Sequence, residues 1–496
     1  MADPEGGRAV STRPSIYILG GGLSGIAAAE RLSRDPDTPY NVVLIEARPH
    51  LGGRTGSYFD TRARREIDTG QHLFLSCYTG TIDLLQRLGT KDNLVFFDRL
   101  YIPLWDPERG LNPLDVPGNK SQLSAAGGLL QYEGLPFSQR LAFLSVARAM
   151  PRTDSDVDHL TAHEFLKRAG QPDVVIDRFW ELVILSATNL PSRSVSAALL
   201  VRILKESLLA GGHAARPGYN AVPLTELFVL PAMRLFRARS VSVRTKTRIT
   251  GLTETGGRIV ALATSRGEIP LSPEDRVIVA LPPWSFEKIV PLSWQETPLV
   301  DRINRLSYAS PILSIHLHFD TPVRIPLIAG FHQSPIHWLF NKDAMEQRLI
   351  PETRPWFDWS EDREDDLLPT QTVSATVSGA DTLLEAPDAE LAALVSHHLL
   401  LLDKKNTASP IGVVAVRDRF ATPVLGTGQS SLRPEARTSF DNLFMAGDTA
   451  DTGLPATMES AVRAGVAAAE AILSEISARH VAQGKTAPSG EKAIPA

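Results

Sequence analysis

The sequence of 496 residues contains a single cysteine, Cys77, which excludes an internal disulfide and a cysteine-rich zinc or iron–sulfur site. No stretch reaches the ~18 uncharged apolar residues of a membrane-spanning helix. Residues 1–14 carry charges and lack the apolar segment of a secretory signal peptide, so we expect a cytoplasmic protein. The sequence also has no excess of basic residues, since it contains 51 Lys and Arg and 56 Asp and Glu. The net charge of −5 argues against a nucleic-acid partner.

The overall composition is that of a soluble globular protein, with 43% hydrophobic and 22% charged residues. One hydrophobic core stops growing near ~250–300 residues, so a chain of this length needs at least two cores. The sequence has no internal repeat of the kind found in solenoid proteins. We therefore expect a multidomain globular protein without a metal site.

A glycine cluster directly follows the first strand pattern. Residues 15–19 (SIYIL) are apolar and partly β-branched, and they end in G-x-G-x-x-G, formed by Gly20, Gly22 and Gly25. A helical pattern comes next, and a second strand pattern at 41–45 (NVVLI) ends in Glu46. This order of strand, glycines, helix, strand and acid is typical of a dinucleotide-binding βαβ unit.

Each residue type has a physical role in such a unit. Gly20 permits a tight turn, Gly22 lets the backbone approach a pyrophosphate, and Gly25 lets the helix pack closely on the strand. The N-terminus of the helix offers N–H groups and a positive dipole to the phosphates. Glu46 comes 21 residues after Gly25, where an acid can hydrogen-bond ribose hydroxyls.

Two further segments belong with this site. Gly52 and Gly53 can bring the backbone close to a ligand, and Arg54 can neutralise a phosphate. Near the other end, residues 441–448 predict a short strand that stops at Gly447-Asp448. Pro455 is then predicted just inside a helix, whose apolar residues recur at spacings of three and four.

The Gly-Gly-Arg and Gly447-Asp448 segments resemble the superfamily of flavin-dependent amine oxidases and phytoene desaturases. The resemblance implies FAD, with Asp448 on the ribityl chain, a helix N-terminus at the N1–C2=O edge of the flavin, and a main-chain contact to adenine near Ile249. No second G-x-G-x-x-G occurs, so we expect no nicotinamide site and an external electron donor. The implied cofactor-binding residues are Gly20, Gly22, Gly25, Glu46, Ala47, Gly53, Arg54, Gly70, Gln71, Ile249, Gly447, Asp448, Pro455, Ala456, Thr457 and Met458.

The cofactor segments lie more than 400 residues apart, which implies a discontinuous domain. We predict an α/β protein with a Rossmann-like FAD-binding domain and an interleaved substrate domain of mixed β-sheet and helices. Strand patterns at 241–252, 258–264 and 276–281 belong to the FAD-binding domain. The predicted ranges are 14–89, 236–285 and 436–478 for the FAD-binding domain, 90–235 and 286–435 for the substrate domain, and 1–13 and 479–496 for flexible tails.

Three segments narrow the resemblance to the hydroxysqualene dehydroxylase family of bacterial squalene and hopanoid synthesis. They are 68–72 (DTGQH), 178–181 (RFWE) with 187–191 (ATNLP), and Gly447-Asp448 with 452–457 (TGLPAT). Leu23 and Thr449 depart from the tryptophans that this family often has. Amine-oxidising relatives carry a lysine near the flavin N5 on the strand that reads SPILSIHLHF here, at 310–319, and this strand has none.

The resemblance implies that hydride from reduced FAD replaces the hydroxyl of an allylic C30 alcohol, a long-chain isoprenoid. The protein must protonate the leaving hydroxyl, stabilise an allylic cation and exclude water. His72 is the first candidate for the proton donor and Glu181 the second. Trp180 or Tyr78 can offer a π face to the cation, or either can simply pack in a core.

Three alternatives stay open. The segment 227–239 combines an apolar face with three arginines, so it is either a peripheral contact with the inner membrane or a helix that covers the second core. A carotenoid-like desaturase or oxidase would use the same parts in the oxidative direction. A prenyl-lipid binding protein, such as a GDP-dissociation inhibitor, shares the architecture without using FAD catalytically. The intact glycines, Glu46 and Gly447-Asp448 argue against the binding protein.

Overall fold

The computed structural model describes residues 13–36, 38–60, 65–346 and 371–482. Its strands are β1 (Ser15–Leu19), β2 (Asn41–Ile45), β3 (Ser57–Asp60), β4 (Arg65–Asp68), β5 (Phe74–Leu75), β6 (Leu94–Phe96), β7 (Leu100–Asp106), β8 (Gly110–Val116), β9 (Pro217–Asn220), β10 (Ser242–Arg244), β11 (Ile249–Thr255), β12 (Arg258–Thr264), β13 (Gly267–Pro270), β14 (Arg276–Val279), β15 (Ala309–Phe319), β16 (Ile328–Phe331), β17 (Trp338–Asn341), β18 (Gln371–Ser378), β19 (Gly412–Pro423) and β20 (Leu443–Met445).

The α-helices are α1 (Leu23–Leu32), α2 (Thr79–Leu88), α3 (Gln122–Gln131), α4 (Phe137–Arg140), α5 (Phe143–Arg148), α6 (Ala162–Arg168), α7 (Asp173–Val175), α8 (Glu181–Thr188), α9 (Ala197–Glu206), α10 (Leu230–Ala238), α11 (Pro283–Phe286), α12 (Pro298–Asn304), α13 (Lys342–Glu346), α14 (Asp388–Leu402) and α15 (Met458–Ala482). Two π-helical turns, Ile176–Trp180 and Thr225–Val229, precede α8 and α10. No helix among these residues is both long and apolar enough to cross a bilayer.

A five-stranded parallel sheet has the order β10-β2-β1-β14-β20. It carries the predicted dinucleotide motif, and we call this sheet with the elements that cover it the nucleotide-binding half. Successive side chains of a strand point to opposite faces. Ile16 and Ile18 of β1 therefore pack towards α1 and α15, whereas Tyr17 and Leu19 pack towards the antiparallel strands β11–β13 and α12. Both faces are covered, which explains why β1 and β2 are continuous apolar runs. The predicted α/β class with a Rossmann-like unit is confirmed.

The first and last helices cross closely on one face of this sheet. A Cβ on Gly465 would lie 2.1 Å from the carbonyl oxygen of Ser24, so only glycine lets α15 approach α1 at this point. The N–H of Gly447 donates to Ser24 Oγ over 2.8 Å, across 423 residues of chain. The two ends of the sequence are thereby joined beside the glycine cluster.

The other half is built on a seven-stranded mixed sheet in the order β19-β15-β18-β17-β16-β7-β8. One face is apolar and packs on α14, with Leu313 and Ile315 of β15 against Leu391 and Val395. The opposite face is joined by the helical layer α3–α9, whose core contains Ile102, Ile328 and Trp338 from the sheet and many side chains from the helices.

Three local predictions need correction. The pattern at 241–252 forms two strands, because Lys246 takes a φ of +52° and turns the chain from the parallel sheet to β11. The strand predicted at 276–281 ends at Val279. Pro455 precedes the last helix instead of lying inside it, because the Thr457 hydroxyl accepts the N–H of Ser460 and caps a helix that begins at Met458.

The segment 227–239 covers a core, but that core belongs to the nucleotide-binding half and not to the substrate domain. Leu227, Phe228 and Phe236 are fully buried against α1 and α2, and only Leu230 and Met233 are exposed among its large apolar side chains. Of the predicted tails, residue 13 and residues 479–482 are described, the latter in α15, and the rest lies outside the described residues.

Candidate active site

The three glycines that follow β1 are required for different reasons. Gly20 has a φ of +110°, and a Cβ there would lie 2.5 Å from the carbonyl oxygen of Ala280. A Cβ on Gly25 would lie 2.0 Å from the carbonyl oxygen of Gly20. A Cβ on Gly22, in contrast, would meet no heavy atom of the described protein within 4 Å. Packing of the protein demands the first and third glycines, whereas the second leaves the backbone open to a ligand.

The glycine turn, the N-terminus of α1 and the Gly52-Gly53 pair form a surface of backbone, which we call the cradle. Helix α1 has no side-chain cap and no acidic residue in its first turn, so its N–H groups and dipole can serve an anion. The N–H of Gly52 donates to the Gly21 carbonyl over 2.8 Å, and a Cβ on Gly53 would lie 3.1 Å from the Cα of Gly22. The Gly52-Gly53 pair therefore lies directly against the glycine turn that follows β1.

Glu46 is fixed at the end of β2. Its carboxylate accepts the N–H groups of Gly21 and Arg48, each over 2.7 Å, and Ala47 lies in the turn between these contacts. The N–H of Thr247 donates to the Glu46 carbonyl over 2.9 Å, so the chain that leads to Ile249 passes beside Glu46. The acid and the predicted adenine contact thus lie at one end of the cradle.

The Gly-Gly-Arg and Gly447-Asp448 segments meet, although 394 residues separate their charged side chains. The Arg54 guanidinium forms an ion pair with the buried carboxylate of Asp448, and it also donates to the Ala421 carbonyl over 2.5 Å. Arg54, which we expected to neutralise phosphate, is therefore paired with a protein carboxylate. Pro455, Ala456 and Thr457 connect Asp448 to the start of α15. The open backbone at Gly22 and these polar groups fit an FAD molecule.

The loop after β4 connects this cradle with the second sheet. Asp68, at the end of β4, is 1% exposed. Its carboxylate accepts four hydrogen bonds, from Ser57 Oγ, Asn220 Nδ2, the Leu224 N–H and Lys342 Nζ, at 2.8 to 3.0 Å. Gly70 lies under β15, where its Cβ would stand 3.4 Å from Ser314 Oγ.

Gln71 and His72, the next residues of this loop, present buried polar atoms without partners. Among the described residues, neither Gln71 Oε1 nor His72 Nε2 has a hydrogen-bond partner. Burial lowers the pKa of the His72 imidazole, and the positive charges of Lys342 and Arg54 lower it further against the opposing effect of Asp68. The ring is therefore uncharged at neutral pH. It can hold a hydroxyl by a hydrogen bond, and it acts as an acid only after it gains a proton.

Between β15 and β17, the face of the second sheet beside this loop changes from polar to apolar along two rows of paired residues, and on the other side of β15 the edge strand β19 adds Val416 and Val414 to these rows. One row starts at Ser314 on β15, passes Thr376 on β18, and ends at Trp338 on β17. The next row starts at His316, passes Ser374 and ends at Phe340. Paired residues share a face, so hydroxyls and imidazoles lie at the β15 side and aromatic rings at the β17 side. Trp338 and Phe340 belong to the core of the helical layer.

The other catalytic candidates make their hydrogen bonds with residues outside this loop. The Glu181 carboxylate accepts the N–H of Ser192 at 3.1 and 3.2 Å, which closes the turn after α8. Trp180 is 2% exposed, donates its Nε1–H to Gln171, and meets Phe143 and Phe179 edge-on. Tyr78 hydrogen-bonds Thr457 and packs on the nucleotide-binding core. Core packing thus accounts for both aromatic residues.

Sequence reasoning missed the polar row and Lys342. The alternation of Ser314, His316 and His318 with apolar neighbours is a period-2 signal for a strand whose two faces differ, and it was available in the sequence. Lys342 carries no such signal. Only the fold brings this lysine, 274 residues away in sequence, to Asp68.

Comparisons with known proteins agree with this geometry. A family model described as flavin-containing amine oxidoreductase matches residues 23–473. The hydroxysqualene dehydroxylase of Rhodopseudomonas palustris is 30% identical over 465 residues, which cover 92% of this chain and 98% of that protein. A 15-cis-phytoene desaturase of an Oncidium hybrid cultivar is 23% identical, over 93% of this chain and 78% of that protein. The solved structure of cyclohexylamine oxidase from Brevibacterium oxydans IH-35A superposes with a TM-score of 0.64 at 15% identity, covering 94% of this chain and 99% of that one, which shows a shared fold.

Proposed function

Since the chain belongs to the flavin-containing amine oxidoreductase family, and within it to the hydroxysqualene dehydroxylases, we propose that it reduces hydroxysqualene to squalene. In the overall reaction, the allylic alcohol takes up one proton and one hydride and loses water. Bound reduced FAD supplies the hydride. The protein contributes binding, orientation, a proton at the leaving oxygen and the exclusion of water.

The observation that carries this proposal is the polar-to-apolar change along the face of the second sheet. A C30 isoprenoid alcohol has one polar group on a long hydrocarbon. The β15 side offers Ser314 and His316 to such a hydroxyl, and the Trp338 and Phe340 side continues into the apolar helical layer. Strand β15 also carries no lysine, whereas amine-oxidising relatives place one near the flavin N5 on the corresponding strand.

In this proposal the loop 68–72 lies between substrate and cofactor. Gly70 and Gln71 face the cofactor side, and His72 presents its unpartnered Nε2 to the leaving hydroxyl. Because the ring is uncharged at neutral pH, it first orients the hydroxyl. It then takes up from solvent the one proton that the reaction consumes and donates it to the leaving oxygen. The low pKa makes the protonated ring a stronger acid than an ordinary imidazolium. Glu181 stays the second candidate for this role.

The cofactor assignments are part of the same proposal. We place the pyrophosphate at Gly22 and the start of α1, a ribose at Glu46, and the ribityl chain near Asp448. The division into a discontinuous FAD-binding domain and an interleaved substrate domain is retained, except that residues 224–236 join the FAD-binding side. With one dinucleotide motif in the chain, an external donor reduces the flavin before each turnover.

The test is an anaerobic incubation of photoreduced enzyme with hydroxysqualene, followed by analysis of product mass. The expected product is squalene, which lacks the oxygen of the alcohol, and deuteride at the flavin N5 should label the carbon that carried the hydroxyl. Oxidised enzyme without a donor should leave the alcohol unconverted. Loss of two hydrogens from a less unsaturated isoprenoid in the presence of an electron acceptor would instead support a desaturase.

We also propose that the protein meets a membrane through α3 and α4. Leu123 is 86% exposed and Phe137 61% exposed, and Leu141 at the end of α4 is half-exposed. The two helices pack on each other, and the Arg140 guanidinium lies over the Phe137 ring and donates to the Leu130 carbonyl. Residues 119–153 contain four basic side chains and one acidic one. Apolar side chains flanked by basic charge favour an anionic lipid surface, from which an isoprenoid can enter.

A further inference from the structure

A buried ion pair lies at the junction of the two halves. Lys342 Nζ is 3.0 Å from Asp68 Oδ2, and the two side chains are 4% and 1% exposed. Lys342 begins α13 directly after β17, and Asp68 ends β4 on the cofactor side. The pair therefore links the second sheet to the loop that carries Gly70, Gln71 and His72.

Burying two charges is costly, and replacing such a pair by apolar residues is often neutral or stabilising. Stability of the fold is therefore a weak explanation for this pair. Burial alone raises the pKa of Asp68, but the Lys342 ammonium and hydrogen bonds from Leu224, Lys342 and Asn220 outweigh it and lower the pKa. Asp68 is thus held as an anion at the start of the loop 68–72. Its four donors come from three parts of the chain, namely Ser57, the stretch with Asn220 and Leu224, and Lys342.

We propose that Lys342 is a positioning residue for the dehydroxylation, an inference that rests on the function proposed above. Through Asp68 it holds the loop 68–72 beneath β15, and its ammonium balances the carboxylate that faces His72. The fixed charges of Asp68 and Lys342 then cancel each other while charge develops at the leaving oxygen.

Three charged groups act on His72, each from a different element. Asp68 comes from β4, Lys342 from α13, and Arg54 from the Gly-Gly-Arg loop, where Asp448 neutralises it. Removing the lysine leaves a carboxylate that favours the protonated imidazole. Removing the carboxylate leaves the Lys342 ammonium with only Glu346, at 3.7 Å, as a counter-charge, and this ammonium disfavours the protonated imidazole. The two substitutions should therefore move the pKa of His72 in opposite directions. Simple damage to the fold has no reason to do so.

The experiment compares flavin-loaded Lys342→Met, Asp68→Asn, the double variant and Lys342→Arg with the unmodified protein. The pKa of His72 is read by NMR of ¹³C-labelled histidine, with His72→Gln to assign the signal. We expect Lys342→Met to raise it by about one unit and Asp68→Asn to lower it, since a neighbouring charge commonly shifts a pKa by ~1–3 units. The double variant should return towards the original value, and Lys342→Arg should stay near it.

Turnover is the second readout. Lys342→Met should lower kcat at least about tenfold with flavin retained, and Lys342→Arg should restore most of it. Arg276→Met is the matched control, because Arg276 and Glu475 form an equally buried pair in the nucleotide-binding half. It should leave the His72 titration unchanged. Equal shifts in Lys342→Met and Asp68→Asn, or none, would overturn the inference. The titration needs no substrate, so it stands even if hydroxysqualene proves unreactive, which would contradict only the proposed function.

Discussion

The two halves of this molecule present different parts of the chain at their proposed ligand sites. In the nucleotide-binding half, the cradle is made of main chain, namely the glycine turn, the N-terminus of α1 and the Gly52-Gly53 pair. In the other half, the recognition surface is made of side chains on one face of the seven-stranded sheet. Ligand binding in the first half should therefore be sensitive to any side chain added at its glycines, and ligand binding in the second half to changes of side-chain charge and polarity.

This difference follows from what each ligand offers. A pyrophosphate is recognised by N–H groups and a helix dipole, which every sequence has and which only need access. A hydrocarbon with one hydroxyl offers no charge, so the protein must place a few polar groups at one end of an otherwise apolar surface. Four substitution experiments test the contrast, in decreasing order of expected effect.

The largest effect should come from Gly22→Val. A Cβ at this position meets no heavy atom of the described protein within 4 Å, so the protein should fold, but the valine side chain occupies the space that the pyrophosphate needs. We expect flavin retention to be lost almost completely, as measured by the ratio of flavin to protein absorbance after purification. Gly127→Ala is the control, because a Cβ on this glycine of α3 is equally unobstructed and lies far from the cradle. Full flavin occupancy in Gly22→Val would show that cofactor binding does not depend on open backbone at this position.

The second effect tests the side-chain half. His72→Ala should retain flavin and slow turnover at least about tenfold, since general acid catalysis commonly contributes ~10²–10⁴-fold. The measurement is single-turnover reduction of hydroxysqualene, in which chemistry is not masked by product release. Unchanged rates would transfer the proton donation to Glu181 or to a bound water molecule. Flavin loss would instead assign the 68–72 loop to the cradle.

The same contrast explains which features the sequence could predict. The cradle is local, because Gly20, Gly22, Gly25 and Glu46 lie within one βαβ unit and their spacing carries the geometry. The substrate face depends on pairing between strands that lie up to some 60 residues apart, such as His316 with Ser374. Lys342 meets Asp68 only after both halves have formed. Tertiary packing also decides between the alternatives that the sequence left open at 227–239, since a helix with three arginines can bury its other face in a core as well as in a membrane.

The third effect concerns the surface of the helical layer. Replacing both Leu123 and Phe137 by Glu should weaken binding to vesicles of phosphatidylglycerol and phosphatidylethanolamine by about 1.4 kcal/mol or more, which is tenfold. The binding is measured by sedimentation with sucrose-loaded vesicles. Leu292→Glu is the matched control, because Leu292 is 90% exposed but lies on the nucleotide-binding side. An equal loss in the control would mean that net charge, and not this surface, governs the contact.

The smallest effect is a difference in acid stability between the two halves. Burial, helped by Arg178 and opposed by Asp106, lowers the pKa of His332 to about 4. The unfolded chain therefore binds a proton below about pH 6.5 that the folded protein excludes, so stability is full above that pH and falls as the pH decreases towards 4. Between about pH 7 and 5.5, this one histidine should cost the second sheet about 1 kcal/mol. Burial also lowers the pKa of His316, to about 3, and the pKa of His337, to about 4, and both belong to this half.

Hydrogen exchange of peptides from β15–β18 should therefore lose protection on acidification before peptides from β1 and β2, once intrinsic exchange rates are corrected. His332→Gln should recover about 1 kcal/mol of the loss, because glutamine can still bond the Tyr132 hydroxyl, which lies 3.0 Å from His332 Nε2, without titrating. His159→Gln is the control, since His159 is exposed and contributes no buried imidazole. If both halves lost protection at the same pH, the side-chain half would owe nothing of its acid sensitivity to buried histidines, and the contrast between the halves would be confined to ligand recognition.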